Sequence, residues 1–305
     1  MANILLRSPY YLRPNGVSGA TSANLSLSLD GTERYTLSKD TDSQGTVIFE
    51  ISELSRDYLE VYFYGSYLPV TVDISAVITF LDSENAPLSS VVYSHTGFDG
   101  YGEFKDGSNP TISSNTLLQS NTKIYLPDNT QGKVATESNN DILYNTITST
   151  TKGNVTVGTH TINVNRVCEP KYSPIKITFV NRFGALQDLW FFKKTVESLS
   201  VRRDSFKRNI LTSGGQYNTF KHAKRTLNVI GNEKFTCNSG FVDEQMNEVF
   251  KQLMLSEQIW ATISGIVHPV DVVSSELQYK TSLNDKLINF TVDFEYAYDT
   301  INNIR

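Results

Sequence analysis

The chain has few of the residues that mark common metal and disulfide sites. Its 305 residues include two cysteines and four histidines. Cys168 and Cys237 are far apart and in no CxxC spacing, which indicates neither a disulfide framework nor a zinc site and favours two buried or unreactive thiols. The histidines stand singly, with no HExxH and no His-x-His pair. We therefore expect no metal site and no cofactor.

Sequence markers of several enzyme classes are also absent. The chain has no Gly-rich phosphate loop of the Walker type and no GxSxG elbow, so nucleotide hydrolysis and serine-esterase chemistry lose their usual markers. A glycosidase needs only two carboxylates at a suitable separation, and 32 acidic residues can supply many such pairs. We expect a protein that is not an enzyme. A hydrolase stays open as an alternative.

Long apolar runs are missing as well. No stretch approaches the ~20 apolar residues that a membrane helix needs. The start, residues 1–7, lacks both the basic region and the apolar region of a signal peptide. We therefore expect a protein that folds in the cytoplasm of the cell that makes it and does not insert into a membrane.

What the chain has in abundance is alternation of apolar and polar residues, most clearly in residues 288–298. Successive side chains of a strand point to opposite faces, so this segment predicts a long strand with one buried face. The side chains predicted to face the core are Ile288, Phe290, Val292, Phe294, Tyr296 and Tyr298.

The first half of the chain reads as an antiparallel β domain. Residues 25–38 around Asp30 and Gly31, and residues 70–94 around a turn at 83–87, each carry the signal of a hairpin. Strands at such regular spacing predict an immunoglobulin-like β-sandwich. Residues 96–115 and 128–151 are rich in Gly, Asn, Thr and Ser, and we predict two long surface loops there.

The second half reads as an α+β unit. Val242, Met246, Val249, Phe250, Leu253 and Met254 form one apolar stripe at helical spacing, which predicts a helix over residues 241–258 among strands. A chain of 305 residues exceeds the roughly 250 to 300 at which single cores stop growing. Two prolines within residues 168–174 indicate the boundary. We therefore predict a β-sandwich domain at 1–169 and a second, mainly β domain with one flanking helix at 170–305.

The charge is unevenly distributed. The formal net charge is −5, yet residues 193–225 hold nine basic and two acidic side chains, so this stretch is +7 and the remainder −12. Three interpretations are open: contact with an acidic surface of another subunit, a solvated face, or contact with a polyanion such as nucleic acid. We favour subunit contact because no helical or aromatic reading element accompanies the charges. Residues 211–217 read as a flexible tip. The basic residues are Lys193, Lys194, Arg202, Arg203, Lys207, Arg208, Lys221, Lys224 and Arg225.

One loop combines aromatic, acidic and glycine residues, a mixture that sugar-binding faces use to stack on pyranose rings. Its aromatic residues Phe98, Tyr101 and Phe104 are the candidate glycan patch. The alternative, which we favour, is a glycine-rich turn anchored by its aromatic side chains.

Three segments carry a resemblance to a known group of proteins. Residues 179–192 (FVNRFGALQDLWFF), residues 279–298 (YKTSLNDKLINFTVDFEYAY) and the opening residues 4–11 (ILLRSPYY) resemble virion structural proteins of tailed bacteriophages that infect Bacteroidetes, including crAss-like phages. The resemblance covers much of the chain and brings no catalytic residue with it.

The resemblance implies a structural subunit of a phage tail, tail hub or neck, located in the virion and present as a homo-oligomeric ring. Tail-tube and related ring proteins resemble a β-sandwich with one flanking helix. A long hairpin at residues 190–201, or the basic segment after it, would reach a neighbouring subunit. Other tail or neck proteins are the expected further partners, and nucleic acid only indirectly, where a ring surrounds a DNA channel.

The N-terminal half, rich in Asn and Thr, departs from a minimal tube protein, and the resemblance implies that it docks to or decorates other virion proteins. The alternative function is a receptor- or carbohydrate-binding module at the tail tip. A tail-associated hydrolase is the third possibility.

Overall fold

The computed structural model describes residues 2–112, 123–158, 160–281 and 288–301. These residues form a mainly β structure with several sheets, which confirms the predicted fold class. The first strands are β1 (Ala2–Leu5), β2 (Tyr11–Leu12), β3 (Ser22–Leu29), β4 (Thr32–Asp40), β5 (Phe49–Glu50), β6 (Thr71–Leu81), β7 (Pro87–Phe98), β8 (Thr111–Ile112), β9 (Lys123–Pro127), β10 (Gly132–Ser138) and β11 (Asp141–Ile147). The later strands are β12 (Gly153–Val157), β13 (His160–Val167), β14 (Ile175–Val180), β15 (Leu186–Phe191), β16 (Val196–Lys207), β17 (Lys224–Asn238), β18 (Ile259–Ile263), β19 (Ile266–Val272) and β20 (Thr291–Tyr296). The helices are α1 (Ser52–Arg56) and α2 (Met246–Met254).

The N-terminal sheet has six strands in the order β4-β3-β6-β7-β1-β8. Both predicted hairpins are present as β3–β4 and β6–β7, and β1 runs parallel to β7. Leu25, Leu27 and Leu29 point into the core while the serines between them are partly exposed. The strands β2 and β5, with α1 beside them, cover the buried face, so this part of the chain forms a layered β-sandwich.

The prediction of a long loop at residues 128–151 is wrong, because this segment contains the hairpin β10–β11. Its turn residues Asn139 and Asn140 both have positive φ angles, of 52° and 64°, which asparagine tolerates better than most residues. Residues 134–137 of β10 are all buried, so the alternation that reveals a half-exposed strand is lost.

The first predicted loop, residues 96–115, is only partly a loop. Its beginning belongs to β7 and residues 111–112 form β8, while residues 113–115 lie outside the described part of the chain. A short 3₁₀ turn, Phe104–Asp106, lies between these strands.

The C-terminal sheet has seven strands in the order β15-β14-β18-β19-β20-β17-β16. Helix α2 packs on it through Met246, Val249, Phe250 and Leu253, and the ring centroids of Phe250 and Phe290 are 4.2 Å apart. The helix is shorter than the predicted 241–258. Val242 instead forms a β-bridge with Ile288, which holds the preceding segment extended.

The final strand is confirmed over β20, with Val292 and Phe294 buried and Thr291 and Asp293 exposed. Ile288 and Phe290 are also buried. Tyr298 was predicted to face the core but is exposed, because the strand ends at Tyr296.

The predicted hairpin at residues 190–201 is wrong. It would pair β15 with β16, yet these strands form the two opposite edges of the seven-stranded sheet. Strand β16 pairs with β17 instead, so the long hairpin comprises residues 196–238 and includes most of the basic stretch.

The predicted boundary at 169/170 falls between the sheets but not between separate cores. Among the described strands, β1 to β13 stay out of the seven-stranded sheet and β14 to β20 form it. Val61 and Phe63 nevertheless pack with Val180 and Leu186 across the boundary. Neither α-helix in the described part of the chain is long and apolar enough to cross a membrane.

Candidate functional site

The most exposed element of the protein is the outer part of the β16–β17 hairpin, which we call the arm (residues 200–232). Strand β17 pairs with β20 only over residues 234–238, whereas its pairing with β16 continues outward to Lys224. Beyond the sheet the arm is therefore a ribbon of two strands. The eight paired positions from Ser200 to Lys207 extend roughly 25 Å.

Seven of the nine predicted basic residues lie on the arm. Arg202 has a nearby acid, with 3.5 Å between its Nε and the Oδ1 of Asp204. The other two, Lys193 and Lys194, precede the arm, and Lys193 Nζ lies 2.7 Å from Glu169 Oε2. Within the described residues, no carboxylate makes an ion pair with the remaining six arm cations, Arg203, Lys207, Arg208, Lys221, Lys224 and Arg225.

Several of these cations are close to one another. Lys207 and Lys224 are direct cross-strand partners, an arrangement in which like charges repel. Around them, Arg208, Lys221 and Arg225 line a cleft of about 410 Å³ that also includes Phe220, His222 and Thr226. The end of the arm is therefore a concave, strongly cationic surface.

The arm also exposes apolar side chains. Leu227 and Phe220 are 75% and 77% exposed, and Val201 and Phe206 are a little less than half exposed. Residues 211–217, predicted to be a flexible tip, form a small closed turn in which Leu211 and Tyr217 are bridged. Both faces of strand β16 are exposed along almost its whole length.

The three residues of the predicted glycan patch do not form one surface. Phe98 is completely buried at the end of β7, where it packs with Leu5 and Ile112. Tyr101 is partly buried under Arg7, whose guanidinium carbon lies 5.0 Å from the ring centroid, and burial raises the pKa of its hydroxyl to about 12. Only Phe104 is fully in solvent.

A network of ion pairs surrounds the turn that carries Phe104 and joins the two halves of the chain. Glu103 lies 2.7 Å from Lys105 Nζ and 2.5 Å from Lys251 Nζ, and Arg182 pairs with both Glu103 and Asp106. The Lys105 and Lys251 ammonium groups hold the pKa of Glu103 at about 2. Sequence reasoning missed this network because its members come from distant segments.

The two cysteines occupy different environments. Cys237 is buried in the C-terminal core, and burial raises the pKa of its thiol to about 12, as expected for an unreactive thiol. Cys168 is exposed, so of the two thiols predicted to be buried or unreactive, only that of Cys237 is buried. Within the described residues, no group of three His, Cys, Asp or Glu side chains is placed to hold a metal ion.

Comparison of the chain with protein-family models, with curated proteins and with solved structures found no match.

Proposed function

We propose that the protein is a structural subunit of a bacteriophage tail, in the hub, tube or neck ring, and that the arm joins it to a neighbouring subunit. The observation that carries the assembly role is the arm itself, which projects from the sheet as an exposed two-stranded ribbon. The placement in a phage tail rests on the sequence resemblance. The assembly role rests on the exposure, the backbone edge and the charge of the arm.

The arm has the composition of a surface that a partner covers. A two-stranded hairpin alone is at best marginally stable in water, because neither of its faces is packed. Among the described strands, β16 is the end strand of its sheet, and another chain can pair with the backbone of such an edge. Exposed Leu227, Phe206 and Phe220 would lose contact with water when a neighbour covers them, and that burial favours association.

The charges of the arm favour an acidic partner. The repulsion between Lys207 and Lys224 is relieved when an anionic surface lies against them. Residues 1–169 of the same chain contain 18 acidic and 10 basic side chains, a net charge of −8. A second copy of the chain can therefore supply the complementary surface, with the arm of one subunit against the N-terminal half of the next.

The first test removes the arm. Replacing residues 202–230 by Asn-Gly would join Val201 to Gly231, which are cross-strand partners, through a two-residue turn. We expect wild-type protein to form oligomers whose size increases with protein concentration, and the shortened protein to be a monomer with an unchanged circular-dichroism melting curve. Sedimentation velocity measures the size.

The second test removes charge only. The double variant Lys207→Ser with Lys224→Ser should weaken association, and the control is Lys152→Ser with Lys171→Ser, which removes two exposed lysines outside the arm. Association of the wild type should also weaken at 1 M salt, where the Debye length is about 3 Å. A wild-type protein that stays monomeric at every concentration and salt, or equal effects of both double variants, would contradict the proposal.

A further inference from the structure

A second concave surface lies between the segment that leads into β2 and the turn that carries Phe104. It is a groove of about 540 Å³, within the size range of pockets that hold small ligands. It lies outside the arm, and nothing in the assembly role explains it. Its lining includes Ser8, Pro9, Tyr11, Phe104, Ser108 and Asn109.

Phe104 is held out in water by a rigid turn. Its side chain is 104% exposed, so it makes almost no contact within its own chain. The Glu103 backbone N–H donates to Asp106 Oδ2 at 3.0 Å, and the ion pairs to Arg182 and Lys251 fix both ends of the turn. Keeping a phenylalanine in water costs free energy that burial would recover. Tyr11, which is also exposed, lines the same groove, so the exposed apolar surface there is larger than one isolated ring, as at a contact surface.

The opposite wall is fixed as well. The Gly102 backbone N–H donates to Ser8 Oγ at 2.8 Å, and Asn109 Nδ2 donates to the carbonyl oxygens of Leu5 and Ser8 at 2.8 and 3.1 Å. Tyr11 lies on β2, which pairs with β5, and is 49% exposed. The two walls are thus tied to each other, and the groove exists before any ligand arrives.

The groove suits an uncharged ligand. Glu103 is the one carboxylate among its described lining residues, and Lys105 and Lys251 compensate its charge. The apolar C–H faces of a pyranose ring stack on aromatic rings such as those of Phe104 and Tyr11. The exposed hydroxyl group of Ser108, beside these rings in the lining of the groove, can bond a hydroxyl group of the sugar.

We propose that the groove between Tyr11 and Phe104 binds a neutral saccharide. Of the three aromatic residues that the sequence suggested for a glycan patch, only Phe104 takes part. Tyr11, 93 positions earlier in the sequence, takes the place of the buried Phe98 and the partly buried Tyr101. This proposal is independent of the arm and of oligomer formation.

The test uses the full-length protein and three probes: chitotetraose, maltohexaose and mannotetraose. Saturation-transfer difference NMR should show transfer from the protein to ring C–H protons of at least one probe. Calorimetry should then show that Phe104→Ala and Tyr11→Ala each weaken its binding by about tenfold, the size expected for loss of one aromatic stacking contact and its buried area.

The matched control is Tyr64→Ala, which removes an aromatic ring, 66% exposed, that lies outside both the groove and the arm. It should leave saccharide binding unchanged, and Phe104→Trp should retain binding. The proposal is overturned when none of the three probes shows saturation transfer at millimolar concentration, or when Tyr64→Ala weakens binding as much as Phe104→Ala. Because Phe104 is not part of the arm, either result leaves the test of subunit assembly unaffected.

Discussion

The two ends of strand β17 share one backbone conformation but lie in opposite environments. At the inner end, residues 234–238 lie between β16 and β20, and Phe235 stacks on Phe294 with ring centroids 5.4 Å apart. At the outer end, residues 224–230 pair with β16 on one side and with none of the described strands on the other, and Leu227 is exposed. What separates the two ends is a third strand and the helix packed on the sheet.

This difference shows that strand pairing alone does not bury a side chain. Phe235 and Leu227 are both apolar residues of the same strand, and only Phe235 has a layer of core residues to pack against. The inner end therefore contributes to the stability of the fold. The outer end contributes little to that stability, and its apolar and cationic groups stay exposed.

The largest expected effect comes from comparing these two residues directly. Phe235→Ala should lower the free energy of unfolding by about 3 to 5 kcal/mol, because it leaves a cavity in the core. Leu227→Ala should change it by less than about 0.5 kcal/mol, because the side chain is already in water. Urea unfolding followed by circular dichroism measures both. If both variants lowered the free energy of unfolding by similar amounts, Leu227 would have to belong to the hydrophobic core.

Two glycines with similar positive φ angles should also differ in how much substitution by alanine destabilises the protein, although by less than Phe235 and Leu227 differ. Gly184, in the turn between β14 and β15, has φ +83°, and an added Cβ would lie 2.7 Å from the backbone nitrogen of Asp99. Gly215, at the end of the arm, has φ +73° and nothing within 4 Å of that position.

Gly184→Ala combines a steric clash with an unfavourable φ, so it should lower the free energy of unfolding by about 2 kcal/mol or more. Gly215→Ala introduces no clash. Its unfavourable φ costs about 1 kcal/mol locally, and because the segment barely contributes to global stability, the free energy of unfolding should change less than that. Thermal unfolding of the two variants gives the comparison. If Gly215→Ala lowered the melting temperature more than Gly184→Ala, the arm would be shown to stabilise the rest of the fold.

The smallest effect concerns the ion pairs that join the two halves of the chain. The pKa of Glu103 is lowered from 4.5 to about 2. A group whose pKa is depressed by folding stabilises the folded state above its unfolded pKa, and this contribution is lost as the pH falls through the folded value. Wild-type stability should therefore decrease between about pH 4.5 and pH 2, and Glu103→Gln should remove part of that decrease.

The measurement is the urea midpoint as a function of pH. Glu84→Gln is the control, because Glu84 lies exposed in the β6–β7 turn with no ion pair among the described residues. If Glu103→Gln and Glu84→Gln give the same pH dependence, the ion-pair network does not hold the two halves together.

Segments with one buried face were predictable because their periodicity reflects that face. Residues 22–29 and 291–296 alternate apolar and polar side chains, and both are strands with alternating burial. The helix was predicted at the correct place but too long, because Val242 continues its apolar stripe. The bridge to Ile288, a partner 46 positions away, holds Val242 outside the helix.

The candidate sites were less predictable. The basic composition of residues 193–225 is visible in the sequence, and so is the aromatic content of the loop that contains Phe104. No sequence signal shows that Phe98 is buried, that Tyr11 lies opposite Phe104, or that Lys207 faces Lys224. Each of these depends on which strands become neighbours.

By itself, the sequence determined the β class, the positions of the β3–β4 and β6–β7 hairpins and the uneven distribution of charge, because these follow from local periodicity and composition. Tertiary structure alone decided that the basic stretch projects as an arm and that the aromatic loop exposes a single ring. The physical reason is that burial and charge pairing depend on contacts between residues far apart in the chain. Those contacts depend on which strands become neighbours and how the sheets pack.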